Sequence, residues 1–252
     1  MKTIYRLAVV MVAVVAMLAL SMPALASQMD DRIESTARNS YVFKTFLQND
    51  AIKIESKDGD VTLTGTVADN FNKSLAQETV AGLPGVKSVD NKLVVKSEPP
   101  TVNSDAWLRD KVKSTLMFHR SVSASTTEVD VKDGIVTLRG YASTEAQKEL
   151  TTEYAKDIEG VKGVSNEMTV STTSKSKRTV GETIDDASII AQVKMTLLSH
   201  RSTSALNTKV ESKRGLVTLY GKAQNAAEKN LATKLANDIN GVKGVKNRMT
   251  SE

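Results

Sequence analysis

The sequence predicts an α+β protein of three tandem αββαβ units, each a three-stranded mixed sheet with two helices on one face. Two observations predict it. A strand ending in glycine, Val61-Thr62-Leu63-Thr64-Gly65, recurs as Val136-Thr137-Leu138-Arg139-Gly140 and Val217-Thr218-Leu219-Tyr220-Gly221. Each is followed at one fixed spacing by a second motif, running Gly85 to Asn91, Gly160 to Asn166 and Gly241 to Asn247. Two motifs that keep their distance three times mark an internal repeat, and a unit of about 70 residues is long enough to be a small domain.

Residues 1–26 read as a signal peptide. Lys2 and Arg6 precede an apolar run from Leu7 to Leu20, Pro23 breaks it, and Ala24-Leu25-Ala26 predicts cleavage between Ala26 and Ser27. The run is shorter than the roughly 20 apolar residues of a spanning helix. No later segment is apolar enough to span, so the mature chain is expected not to be transmembrane and to reside in the periplasm. The chain has no cysteine. Export would permit disulfides, so each unit must instead be held by its own core.

The units are expected at 28–97, 104–171 and 185–252, joined by linkers at 98–103 and 172–184 that are marked by Pro99-Pro100 and by a Ser/Thr/Lys run. Each unit opens with a helix. Its apolar stripe is Leu108, Val112 and Leu116 in unit two, Ile189, Val193 and Leu197 in unit three, and a weaker Ile33, Ala37, Tyr41 in unit one. Asp58-Gly59 and Asp133-Gly134 then join two strands, because a tight hairpin turn needs positive φ at both positions. Arg214-Gly215 stands there in unit three. Gly65, Gly140 and Gly221 mark a bulge or a close backbone approach. The second helix carries Phe71, Leu75, Thr79 and Leu83 on its buried side, aligned with Ala146, Leu150, Tyr154 and Ile158 and with Ala227, Leu231, Leu235 and Ile239. Gly85, Gly160 and Gly241 are expected to stop it. The last strand alternates through Val89, Asn91, Leu93 and Val95 and their counterparts. A domain this small buries only about 60% of its unfolded surface, so the units are expected to lean partly on one another.

A helix-one Asp, D-G, V-T-L-x-G and then G-V-x-x-V-x-N resemble the BON domain, over essentially the whole mature chain. Unit one departs at helix one, where Ala37 is small, and unit three at the Asp-Gly turn. The resemblance implies an αββαβ fold, an envelope location, no enzymatic activity and binding to phospholipid or envelope surfaces, in osmotic or envelope stress.

The residues themselves point the same way. Neither G-x-S-x-G, a P-loop nor G-x-G-x-x-G occurs, so no catalytic residue, cofactor or metal is expected. Aromatic residues are 4% of the chain, too few for a base-stacking platform, so no nucleic acid is expected either. His119-Arg120-Ser121 and His200-Arg201-Ser202 align between units two and three and read as exposed helix ends, where cations complement the dipole. Residues 28–98 and 101–173 each carry 9 Lys+Arg against 11 Asp+Glu, whereas 185–252 carry 11 against 6. That asymmetry suggests an anionic partner for the last unit. Trp107, the single tryptophan, lies about 100° from its helix's apolar stripe, beside Lys111. It suits either a headgroup layer or a contact between units. The expected partner is an anionic phospholipid surface, with Trp107, Lys111, Arg120, Lys194 and Arg201 as candidate contacts. The alternative is a chaperone-like or scaffolding protein that binds other envelope proteins.

Overall fold

A computed structural model describes residues 27–96, 104–122, 126–171, 184–203 and 208–251. The predicted signal peptide with Ala26, residues 98–103 and all but one residue of 172–184 lie outside these.

Each unit has the predicted order. Unit one runs α1 (27–39), α2 (Tyr41–Thr45), β1 (Ala51–Lys57), β2 (Asp60–Val67), α3 (Asn70–Ala81), β3 (Ser88–Asn91) and β4 (Val94–Val95). Unit two has α4 (Asp105–Phe118), β5 (Thr127–Lys132), β6 (Ile135–Ala142), α5 (Glu145–Lys156), β7 (Gly163–Asn166) and β8 (Thr169–Val170). Unit three has α6 (Asp186–Ser199), β9 (Thr208–Lys213), β10 (Leu216–Ala223), α7 (Ala226–Asn237), β11 (Gly244–Asn247) and β12 (Thr250–Ser251). In every sheet the second strand is central, antiparallel to the first and parallel to the last.

The hairpin turns show how a poor turn residue is tolerated. Asp58, Asp133 and Arg214 all sit near φ 55° with glycine next, the same turn three times. The carboxylate of the first-helix acid receives both turn amides. Asp105 takes them from Asp133 and Gly134 at 2.7 and 2.8 Å, and Asp186 takes them from Arg214 and Gly215 at 2.6 and 2.9 Å. Asp30 does the same in unit one. This tie across the fold outweighs the local cost of arginine at positive φ. Gly65 and Gly140 are close approaches: a Cβ there would lie 1.9 Å from the carbonyl oxygen of Ala51 or Thr126.

Four expectations need correction. In unit two the buried side of the second helix runs through Thr151 and Ala155, while Leu150 is 40% exposed. The first helix of unit one is broken at Ser40, which has extended backbone and caps α2 through the amide of Phe43. The second helices end at Ala81, Lys156 and Asn237, so Gly85, Gly160 and Gly241 lie four residues past the helix and turn the chain toward the last strand. Finally, the last strand is split. The side-chain oxygen of Asn91 accepts from the amide of Leu93, and its amide group donates to the carbonyl of Lys73 in α3. Asn166 and Asn247 repeat this. The asparagine local turn thus competes with the ladder, and pairing with the central strand resumes two residues later in the same register.

The three units do not keep three separate cores. Unit two has its own, around Leu108, Val112, Leu116, Val136, Leu138 and Met168. Units one and three share a single apolar cluster that runs from Ile33 and Leu63 through Ala187 and Ile189 to Leu219 and Met249. Phe118 of unit two inserts into that shared core, edge-on to Phe46 at 5.2 Å and stacked with Phe71 at 5.5 Å between ring centroids.

Candidate functional site

In the aligned His-Arg pairs the arginines are exposed at the helix ends as expected, but the histidines are not. His119 is 2% exposed and His200 8%, and each closes a contact between units two and three. The C-terminal end of α4 meets the residues after α7, and the C-terminal end of α6 meets those after α5, in a reciprocal clasp. The amide of Arg120 donates to the carbonyl of Asp238 at 2.9 Å, and the amide of Arg201 to that of Asp157 at 3.0 Å. His119 Nδ1 is 3.1 Å from the Asp238 carboxylate, and His200 Nε2 is 3.1 Å from that of Asp157. The arginines finish the clasp on carbonyls, Arg120 on Val242 and Arg201 on Ile158 and Val161.

The two halves differ in how much each carboxylate carries. Asp238 also accepts from the hydroxyls of Ser121 and of Tyr154, the latter at 2.7 Å, and the Tyr154 ring stacks on His119 at 3.9 Å. Burial pushes the Asp238 carboxyl up, but the His119, Ser121 and Tyr154 hydrogen bonds prevail and hold it below the ordinary range. Burial, then the bond to Asp238, pushes the Tyr154 phenol up. His200 is pushed down by burial, which outweighs the pull of Asp157. A serine, a histidine and an aspartate therefore do meet here, yet not as a nucleophile relay. The carboxylate sits between the other two and accepts from both, so the histidine is not placed to take the serine proton. The arrangement holds units together.

The five sequence-predicted contacts fall in different places. Arg120 and Arg201 serve the clasp. Lys194 pairs with Glu78 at 2.7 Å across the contact of units one and three. Trp107 is half-buried where all three units meet, with the Lys111 ammonium 4.4 Å from its ring centroid. Trp107 and Lys111 are thus brought together, and the other three are not part of that cluster.

The sequence-level charge asymmetry has a definite location. Each sheet has helices on one face and an open face on the other. Eight positions on the open face correspond between units. In unit one they are Lys53, Glu55, Lys57, Asp60, Thr64, Thr66, Asp90 and Lys92, with no net charge. In unit two they are Glu128, Asp130, Lys132, Ile135, Arg139, Tyr141, Ser165 and Glu167, net −1. In unit three they are Lys209, Glu211, Lys213, Leu216, Tyr220, Lys222, Lys246 and Arg248, net +4. Tyr220 lies at the centre, with Lys209 5.8 Å and Arg248 5.9 Å from its ring centroid.

Residues 29–97, 104–172 and 185–252 each match the BON domain family, and together they make up most of the chain. The chain belongs to the BON domain family. Among relatives, osmotically-inducible protein Y of Escherichia coli is 29% identical over 148 residues, 59% of this chain and 73% of its own length. Outer membrane lipoprotein DolP of Haemophilus influenzae is 33% identical over 111 residues, 43% of this chain and 57% of its own length. Among solved structures, CdsD, a structural protein of the type III secretion system of Chlamydia trachomatis, is 19% identical. That match covers 87% of this chain and 90% of CdsD, with a TM-score of 0.25.

Both features missed from the sequence had a signal there. BON units two and three share the His-Arg pair and also an Asp-Ile pair after helix two, Asp157-Ile158 and Asp238-Ile239. Unit one has Lys44-Thr45 and Gly82-Leu83 at those positions. Two motifs shared by the same two units and absent from the third are what a reciprocal contact requires. The open-face lysines become visible once the repeats are aligned and every second strand residue is read alone.

Proposed function

We propose that this BON protein is a non-enzymatic protein of the bacterial envelope, located in the periplasm, that docks on anionic phospholipid surfaces in osmotic or envelope stress. The observation that carries the reading is the open face of the third sheet, net +4 where the same positions in its sister units are neutral or acidic. Near an anionic leaflet each basic residue contributes about 1 kcal/mol of attraction, so four surplus cations on one face are sufficient for salt-sensitive docking. Leu216, 60% exposed on that face, and Tyr220 supply an apolar and an amphipathic group suited to the headgroup region. Trp107 and Lys111 are the proposed second contact. Arg120, Lys194 and Arg201 already hold protein partners and contribute through long-range charge alone. The names of the relatives, one osmotically inducible and one an outer membrane lipoprotein, support an envelope setting.

The test is co-sedimentation of the mature protein with phosphatidylglycerol vesicles and with phosphatidylcholine vesicles, at low and high salt. Binding is expected to the anionic vesicles alone and to be lost in high salt. The triple variant Lys209→Glu, Lys246→Glu, Arg248→Glu is expected to abolish it. Binding untouched by the triple variant, or no binding by the parent at low salt, overturns the reading.

The scaffolding alternative rests on apolar side chains on the other open faces: Val94 at 62% exposure, Ile135 at 50% and Tyr141 at 53%. Suppression of a client's aggregation with little salt dependence and no vesicle binding favours it.

A further inference from the structure

We propose that the cleft where the three units meet is a binding site for a small organic cation, a primary amine that carries an aromatic or branched apolar body. A chamber of about 210 Å³ opens there. Phe71 of unit one, Trp107 of unit two and Met195 and Leu198 of unit three wall it, and Asp69 and Asp110 bring carboxylates from two units to its edge. A second chamber of about 240 Å³ shares Asp69, Phe71 and Asp110 and continues past Phe46, Met117 and Phe118. Leu198 is 50% and Met117 43% exposed, so both mouths are apolar and open.

The chemistry of the walls selects the ligand. Aromatic faces attract cations and apolar bodies alike, and they reject anions at the face of the ring. Asp69 and Asp110 bring two carboxylates to the wall that both chambers share; Lys111 lines the first chamber and Lys113 the second. Asp110 is already paired with Arg109 at 3.0 Å, so Asp69 is the carboxylate that a ligand cation would chiefly serve. Asp69 caps α3, accepting from the amide of Asn72 at 2.7 Å, and burial together with the charges of Asp110 and Asp50 pushes its carboxyl above the ordinary range. A carboxylate crowded by other carboxylates in a partly dry place is relieved by a cation between them. An ammonium lodged between Asp69 and Asp110 provides that, while its apolar body covers Phe71 and Trp107. Lys111 lies over the indole and opposes a ligand cation, so its charge lowers the affinity of the site.

The site exists only in the assembled molecule, because each unit contributes a wall. It is distinct from the basic open face but shares Trp107 and Lys111 with the proposed second membrane contact, so the ligand is tested in the absence of any membrane.

Trp107, the single tryptophan, reports directly. The full mature protein, without vesicles, is titrated with phenethylamine and with 3-phenylpropionate, near-isosteric molecules of opposite charge, while tryptophan emission is followed. The amine is expected to saturate the signal, with the carboxylate at least about tenfold weaker, as loss of one ion pair in a half-buried site implies. Asp69→Asn with Asp110→Asn is expected to weaken the amine about tenfold. Asparagine caps a helix as well as aspartate does, so the fold is preserved, which the far-ultraviolet dichroism and unfolding midpoint check. Lys111→Gln is expected to tighten the amine severalfold. Lys246→Glu on the open face is expected to leave it unchanged. No saturable signal with the amine, equal affinity for the carboxylate, or an affinity indifferent to the double aspartate change overturns the proposal.

Discussion

Units one and two both pack on unit three, and they do so by opposite means. Unit two keeps its own core and, apart from Phe118, which enters the shared one, is held by a polar clasp of buried histidines, carboxylates and backbone amides. Unit one gives up its separate core. Gly82 lies against α6, where an added Cβ would come within 3.3 Å of the Ala187 Cα, and the apolar residues of both units run together. The first amides of the short helix α2 are received by unit three as well, Tyr41 by Asp185 at 2.8 Å and Val42 by Ser188 at 3.1 Å. The two modes trace to a few positions. Where units two and three have Asp157 and Asp238, unit one has Gly82. A carboxylate there accepts hydrogen bonds and specifies one partner geometry, whereas a glycine permits close helix approach and continuous burial. One module thus supports two kinds of junction through changes at its loop ends, with the scaffold untouched.

The comparison is broken most severely at Asp238. Asp238→Ala takes the acceptor from the buried His119 and the half-buried Ser121 and Tyr154, an expected loss of about 3 kcal/mol. Asp157→Ala, whose half-exposed carboxylate serves His200 alone among the described side chains, is expected to cost under about 1 kcal/mol. Denaturant unfolding of the two variants measures the gap, and equal losses refute the asymmetry of the clasp.

The junction of unit one is challenged by Gly82→Leu, which forces a side chain against Ala187. An expected loss of about 1–3 kcal/mol follows from overpacking, with raised hydrogen exchange in α3 and α6 and none in unit two. Exchange that rises first in unit two instead contradicts the separation of the cores.

The smallest effect is that of pH. His200 is held below its ordinary value near 6.5, so the folded protein favours the neutral ring. That contribution is complete above 6.5 and is lost as pH falls through it, since the unfolded chain then binds the proton more readily. The melting temperature is expected to fall between pH 7.5 and 5.5, and less steeply in His200→Gln. A melting temperature that rises over the same range argues that the pair is stabilised by charge.

Most of the unit was legible because its signals are local. The Asp-Gly turns, the period-two strands and the spaced glycines each encode their own geometry, and repetition confirmed the register. What escaped were features decided between units or by competition. The break at Ser40 depends on acceptors in unit three, Asp185 and Ser188, which take the amides of Tyr41 and Val42 and which nothing in unit one's own pattern announces. The split last strand follows from an asparagine whose side chain competes with a ladder that alternation alone makes continuous. The His-Arg pairs were found by alignment yet given a solvent-facing role, because the partner half of the clasp lies in another unit. Trp107 was identified as a contact of some kind, and the convergence of three units around it was beyond any single helix pattern.

The merged core also orders events in time. Synthesis runs from the amino terminus, so the third that covers unit one's flank is the last to be made. Until it arrives, Val42, Leu83 and the neighbouring side chains destined for the common interior lack the cover that unit three supplies. A chain stopped short of that third would present an apolar flank to its surroundings. The final segment is in this sense what renders the first one safe from association with strangers.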